Sequence, residues 1–94
     1  MQPTFHINVS IQTLEGPSPF GKFELVNDRE AVHTLFSRLK GSEEVNDKDM
    51  LYLELIETVN GLPVNIKVLT CSLQELASNT MLITQEVFRL ANLR

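Results

Sequence analysis

The dipeptide Asn60-Gly61 is the feature that most restricts how this chain can fold. Such a pair favours a two-residue type I′ turn, because both residues tolerate positive φ angles. Residues 51–59 and 62–71 on either side contain alternating apolar and polar side chains. The sequence therefore predicts a β-hairpin over residues 51–71, and its short turn fixes which residues pair across the two strands.

Counting outward from this turn predicts what each face of the hairpin carries. The face assigned to the core has Val59 opposite Leu62, Glu57 opposite Val64, Leu55 opposite Ile66, and Leu53 opposite Val68. The outer face has Thr58 opposite Pro63, Ile56 opposite Asn65, Glu54 opposite Lys67, Tyr52 opposite Leu69, and Met50 opposite Cys71. The opposite charges of Glu54 and Lys67 support this register.

The predicted outer face is unusually apolar at the end away from the turn. It gathers a cluster of five side chains, namely Met50, Tyr52, Ile56, Leu69 and Cys71. The solvent face of an antiparallel sheet normally carries polar residues, and a contiguous apolar patch usually marks an interface. The cluster therefore predicts a protein–protein interface, most simply between two copies of the chain. The alternative is that the loop at 15–21 or the C-terminal tail covers it.

Two further strands are predicted before the hairpin. Residues 5–12 alternate strictly, which is typical of a half-buried strand, and residues 22–27 resume the alternation through Phe23 and Leu25. Between them, residues 15–21 contain two prolines and two glycines and are predicted to form a loop.

Two helices are predicted, one after each pair of strands. Asn27 and Glu30 resemble a capping box, and the 3.6-residue spacing of the apolar residues after it predicts a helix that stops at Gly41. Ser72 and Glu75 form a second capping box. The apolar residues of 73–92 fall on one half of a helix of roughly 20 residues. The alternative for that segment is a short helix followed by a strand.

The order of these elements predicts an α+β fold. A ββαββα chain packs most simply as a two-layer sandwich, with a four-stranded antiparallel sheet and both helices on one face. A right-handed crossover through the first helix predicts the strand order 2-1-3-4. Pro63 supports an edge position for the fourth strand, because proline lacks the amide that a neighbouring strand needs. Residues 1–94 are predicted to form one domain.

Composition excludes several classes of partner. The net charge is −4, and the eight basic residues are scattered along the chain, which argues against nucleic-acid binding. No apolar run approaches the ~18 residues of a membrane span. The start of the chain lacks a signal-like segment, and Cys71 is the only cysteine. These features predict a cytoplasmic protein that binds neither nucleic acid nor membranes.

The sequence contains no common catalytic motif. It lacks a Gly-rich phosphate loop, a nucleophile elbow, an H-E-x-x-H pair and a CxxC pair. With two histidines and one cysteine, a zinc site would need almost every candidate ligand. We therefore expect a protein that is not an enzyme and that holds no metal or cofactor.

Two functions remain as predictions. The first is a small non-enzymatic interaction or adaptor module, a homodimer or the partner of another protein. The last helix supports this function, because its apolar arc of ~180° is wider than one sheet face covers. The centre of this arc carries the small side chains of Ala77, Thr80, Thr84 and Ala91. The alternative is a small-molecule-binding protein or minor enzyme that uses an outer-face set comprising His6, Asn8, Tyr52, Glu54 and Lys67.

Overall fold

The computed structural model describes residues 3–44 and 51–92. The elements are β1 (Thr4–Thr13), β2 (Gly16–Glu24), α1 (Arg29–Ser37), β3 (Leu51–Val59), β4 (Leu62–Cys71) and α2 (Leu73–Asn92). Every pair of neighbouring strands is antiparallel, and the strand order is β2-β1-β3-β4. The predicted α+β sandwich, with order 2-1-3-4 and β4 at an edge, is confirmed.

The core lies between the sheet and the two helices. Alternate residues of the central strands supply its sheet side, including Ile7 of β1 and Leu55 of β3, which pair with each other and are fully buried. Val32 and Phe36 of α1 and Ile83 of α2 belong to the same buried cluster. Because both helices contact the same alternate set of strand residues, they lie on one face of the sheet.

α2 is one continuous helix, as its apolar periodicity predicted. It runs over 20 residues, so the alternative of a short helix followed by a strand is wrong. The predicted capping box is present: the Ser72 amide donates to Glu75 Oε1 at 2.9 Å, and the Glu75 amide donates to Ser72 Oγ at 3.1 Å. This reciprocal pair satisfies two amides that would otherwise have no partner at the start of the helix.

The start of α1 differs from the prediction by one residue. Asp28, rather than Asn27, is the N-cap, and its carboxylate accepts a hydrogen bond from the Ala31 amide at 3.2 Å. Aspartate caps a helix as well as asparagine does, and its charge also favours the positive end of the helix dipole. Arg29 then docks α1 on the sheet, donating from Nη1 to Glu57 Oε1 of β3 at 2.9 Å.

Gly41 does not end α1 directly, because the helix stops at Ser37. Its role is a close approach to β4. A Cβ atom at this position would lie 2.6 Å from the Thr70 carbonyl oxygen, which no real side chain tolerates. The chain therefore passes close enough for Ser42 and Thr70 to exchange backbone hydrogen bonds of 2.9 and 2.8 Å. This bridge protects one end of the β4 edge.

The proline-rich segment after β1 is a strand and not the predicted loop. The turn comes earlier, at Leu14 and Glu15, and β2 starts at Gly16. Pro17 and Pro19 pair with alternate residues of β1, so both imide nitrogens point to the same side of β2. β2 is an edge strand, and on its outer side a missing amide costs no ladder hydrogen bond.

The hairpin of β3 and β4 follows the predicted register only near its turn. The pairs from Val59 with Leu62 to Ile56 with Asn65 match the count from Asn60-Gly61. The register then shifts, and the remaining pairs are Leu55 with Lys67, Glu54 with Val68, Leu53 with Leu69, Tyr52 with Thr70, and Leu51 with Cys71. β4 therefore contains one extra residue, a β-bulge at Ile66, and the predicted pairing is wrong beyond that point.

The bulge has a physical cause in the spacing of apolar residues along β4. Without it, Leu69 and Cys71 would point away from the helices. With one extra residue inserted, both enter the core cluster, and Ile66 packs against it as well. The uninterrupted register would bury Ile66 and Val68, whereas the bulge keeps Ile66 against the core and exchanges Val68 for Leu69 and Cys71. Full burial of a side chain the size of leucine is worth roughly 1.5–3 kcal/mol, which favours the bulged register over an uninterrupted ladder.

The turn of this hairpin gives a first testable prediction. Asn60 and Gly61 have φ angles of 54° and 80°, which confirms the predicted turn with two left-handed residues. A Cβ atom at Gly61 would meet no atom within 4 Å, so we expect the cost of substitution to come from the backbone. We expect Gly61→Val to lower the free energy of unfolding by about 1 kcal/mol or more, measured by urea denaturation.

Gly61→Asn is the matched control for that substitution. Asparagine tolerates the left-handed region, so this variant should keep most of the stability that the valine variant loses. Equal losses in the two variants would show that side-chain crowding, and not backbone strain, determines the cost.

Candidate functional site

The five-residue cluster predicted on the outer face does not assemble there. Tyr52 and Ile56 do lie on that face, both 8% exposed. Leu69 and Cys71 belong to the core on the opposite side of the sheet, because the bulge inverts the alternation of β4. Met50 lies outside the described residues. The outer face therefore carries a smaller apolar surface than the uninterrupted register predicts.

A polar network joins three strands across the outer face. Glu54 Oε1 accepts a hydrogen bond from Ser10 Oγ at 3.1 Å, and Glu54 Oε2 accepts one from Asn65 Nδ2 at 3.0 Å. The Tyr52 hydroxyl donates to Gln12 Oε1 at 3.1 Å. Each bond links neighbouring strands, and both oxygens of the Glu54 carboxylate are engaged. The network therefore ties the strands together at the centre of the sheet.

Four of the five residues predicted as a ligand-binding set share this face. His6 and Asn8 lie on β1, and their partners on β3 are Ile56 and Glu54. Lys67 does not join them, because it pairs with Leu55 after the bulge, and Val68 takes the place opposite Glu54. The predicted charge pair between Glu54 and Lys67 is therefore wrong.

His6 lies in a partly buried and charged environment that shifts its pKa. Burial and the nearby Lys22 ammonium lower the pKa of His6 below its ordinary value, while the Glu24 carboxylate acts in the opposite direction. The imidazole is therefore neutral at pH 7, with one nitrogen able to donate and the other to accept a hydrogen bond.

α2 exposes a second apolar surface, which we name the α2 stripe. It consists of Leu73, Ala77, Met81, Thr84 and Phe88. These positions fall within about 80° of each other at 100° per residue, so they line one side of the helix. Leu73 is 74% exposed, Met81 64% and Phe88 69%. The stripe lies beside the buried side of α2, which packs on the sheet and α1 through Ile83 and its neighbours.

The α2 stripe is bordered by uncharged residues. The adjoining exposed positions are Gln74, Ser78 and Gln85. The charged side chains of α2 lie farther round the helix, where Glu86 contacts Arg38, the C-cap of α1, at 3.5 Å and Arg89 of its own helix at 2.8 Å. The hydrogen bond from Arg89 lowers the pKa of Glu86, so this carboxylate stays ionised. The stripe is therefore an apolar surface with an uncharged rim on its outer side.

A groove continues the stripe toward the sheet edge. It has a volume of about 320 Å³ and lies between β2 and the C-terminal half of α2, lined by Lys22, Phe23, Glu24, Thr84, Val87 and Phe88. Lys22 and Glu24 form an ion pair of 3.1 Å on this edge strand. Two aromatic rings thus lie beside a space large enough for an apolar side chain.

Asn79 is a buried polar residue of α2 that the sequence analysis did not identify. It is 1% exposed, and its amide bonds both backbone groups of Lys40. The Lys40 amide donates to Asn79 Oδ1, and Asn79 Nδ2 donates to the Lys40 carbonyl, both at 2.7 Å. Asn79 Nδ2 also lies 3.5 Å from Cys71 Sγ. The only signal for this role was its spacing of four residues before the buried Ile83.

Within residues 3–44 and 51–92, no helix is long and apolar enough to cross a membrane. In that part of the chain, no three His, Cys, Asp or Glu side chains lie close enough together to hold a metal ion. Comparison with protein-family models, curated proteins and solved structures found no match to this chain.

Proposed function

We propose that this protein is a non-enzymatic interaction module that self-associates through the α2 stripe. The observation that carries the proposal is the exposure of Leu73, Met81 and Phe88 on one side of a 20-residue helix. Exposed apolar surface of this extent usually marks a contact with another protein, and methionine and phenylalanine are enriched in the centres of interfaces.

The size of this surface sets the expected strength of the contact. Full burial of one large apolar side chain contributes roughly 1.5–3 kcal/mol, and three are available on each copy. Association costs ~4–15 kcal/mol in lost translational and rotational freedom. The gain and the cost are comparable, so we expect a dimer that dissociates on dilution.

The test is the molar mass by light scattering over a range of protein concentrations, for the natural chain and for Met81→Glu. A carboxylate in the middle of a desolvated contact has no partner, and burying an unpaired charge costs several kcal/mol. We expect the natural chain to approach the mass of a dimer as concentration rises. Met81→Glu should remain a monomer with an unchanged circular dichroism spectrum, because residue 81 is exposed in the single chain.

Gln85→Glu is the matched control, since it adds the same charge to an exposed position of α2 beside the stripe. It should dimerise like the natural chain at moderate salt concentration. A natural chain that stays monomeric at every concentration would contradict the proposal. Thermal-shift screening of metabolites would then test the outer face around His6, Asn8, Tyr52 and Glu54 as a ligand site.

A further inference from the structure

We propose that two copies of the chain pair their α2 helices antiparallel, around a two-fold axis that passes between Thr80 and Met81. This arrangement rests on the proposed function and adds its geometry. Leu73 and Phe88 are equally distant in sequence from this midpoint, and so are Ala77 and Thr84. A two-fold axis at that point therefore places these four stripe residues opposite stripe residues of the partner copy, while Met81, next to the axis, lies opposite the partner's Thr80.

The antiparallel pairing matches side chains by size. Leu73 meets the partner's Phe88 at each end, and Ala77 meets the partner's Thr84 on either side of the centre. Ala77 and Thr84 are small and Met81 beside the axis is flexible, so the helix axes are expected within the usual 8–10 Å separation. A parallel pairing would instead place Phe88 against the partner's Phe88 and Leu73 against the partner's Leu73.

The groove beside β2 supplies a complementary site for the end of the partner helix. In the antiparallel arrangement, the partner's Leu73 arrives next to Thr84 and Phe88, which line the groove of about 320 Å³. Leu73 protrudes from its own copy, with 74% of its surface exposed. A protruding apolar side chain at one end of α2 and an apolar groove at the other are self-complementary only when the two helices run in opposite directions.

The lack of charge on the α2 stripe favours a second copy as its occupant over a charged partner. Each chain has a net charge of −4, so two copies repel each other over most of their surfaces. The α2 stripe carries no charged residue, and the adjoining exposed positions are glutamine and serine. Contact through the stripe desolvates no charge of α2. A basic partner would find no carboxylate in the stripe, and the carboxylate of the adjoining groove, Glu24, is already paired with Lys22 at 3.1 Å.

The direction of the helices is tested by disulfide cross-linking of two single-cysteine additions, Ala77→Cys and Thr84→Cys, in the natural chain. A disulfide needs Cα atoms within about 7 Å, so it reports which positions face each other. One variant carries a size tag, so that a product joining the two variants can be recognised by its mass. Each variant is oxidised alone and in a mixture of the two, at a concentration at which light scattering shows the dimer. The natural chain controls for Cys71, which is buried.

The antiparallel arrangement predicts a tagged–untagged cross-linked product in the mixture at a yield several-fold above that of either variant alone. Efficient cross-linking of each variant with itself would establish a parallel pairing and overturn this inference, while the proposed function would stand. A dimer by light scattering that gives no cross-link in any combination would place the contact elsewhere and overturn it too. A chain that is monomeric by light scattering would overturn both proposals.

Discussion

Leu69→Asp is expected to abolish cooperative folding. Leu69 is 6% exposed and packs in the core cluster opposite Leu53, so the new carboxylate would be buried among apolar side chains without a partner. An unpaired buried charge costs several kcal/mol, in addition to the lost burial of a leucine, and a domain of this size has a total stability of only ~5–15 kcal/mol. Thermal unfolding followed by circular dichroism should show no cooperative transition, or one at a much lower temperature.

Val68→Asp is the matched control on the neighbouring residue. Val68 faces the outer side of the sheet opposite Glu54, where a carboxylate stays partly in water and meets one like charge at a cost of roughly 1 kcal/mol or less. The uninterrupted register predicts the reverse order, with Val68 in the core and Leu69 outside. The two variants therefore decide whether β4 contains the bulge at Ile66, and a folded Leu69→Asp beside an unfolded Val68→Asp would refute it.

The bulge shows where the local pattern stops determining the fold. The Asn60-Gly61 turn has a strong local preference, and the pairs nearest to it were predicted correctly. Farther along β4, the apolar residues no longer alternate strictly, and the sequence admits two registers that differ by one residue. The choice between them depends on the helices, which bury Leu69 and Cys71 together, and this tertiary effect is invisible in a strand considered by itself.

The second strand illustrates the same limit in a different way. Pro17 and Pro19 predict a break if the segment is considered locally, because proline removes a hydrogen-bond donor. The two prolines are separated by one residue, so both can direct their imide nitrogens toward the same side of a strand. Such a strand is possible at the edge of a sheet, where that side has no neighbouring strand. That compatibility becomes visible only when the strand order places β2 at the edge of the sheet.

The candidate site was predictable in part. The excess width of the apolar arc of the last helix indicated a surface that the sheet does not cover, and the α2 stripe is exposed in the structure. The outer-face cluster depended on the register of β4, so it failed with that register. Asn79 was missed because a polar residue on a helix is normally exposed, and its partner, the Lys40 backbone, lies 39 residues away in sequence.

Asn79→Leu is the second substitution with a large expected effect. It removes both hydrogen bonds to Lys40, which leaves the Lys40 amide without this partner and the Lys40 carbonyl with the weak donor Cys71 Sγ at 3.5 Å. Each unsatisfied buried group costs about 1–3 kcal/mol, so we expect a loss of roughly 2–5 kcal/mol in the free energy of unfolding, measured by urea denaturation. Ser78→Leu, on the exposed neighbouring residue, is the control and should change stability by about 0.5 kcal/mol or less.

Asn79→Asp separates the loss of a hydrogen bond from the burial of a charge. The new carboxylate has the same shape and still accepts from the Lys40 amide, but it faces the Lys40 carbonyl where the Asn79 amide donated. Burial and that carbonyl should raise the folded-state pKa of the new carboxyl group above its unfolded value of about 3.9. The folded protein then binds this proton more tightly than the unfolded chain does, so the stability deficit relative to the natural chain is greatest at neutral pH.

As the pH falls through the folded-state pKa, the protonated carboxyl group can donate to the Lys40 carbonyl, and the deficit should shrink. Urea denaturation of both proteins between pH 7 and pH 4 measures the difference, and a deficit that is constant over this range would show that residue 79 is accessible to water.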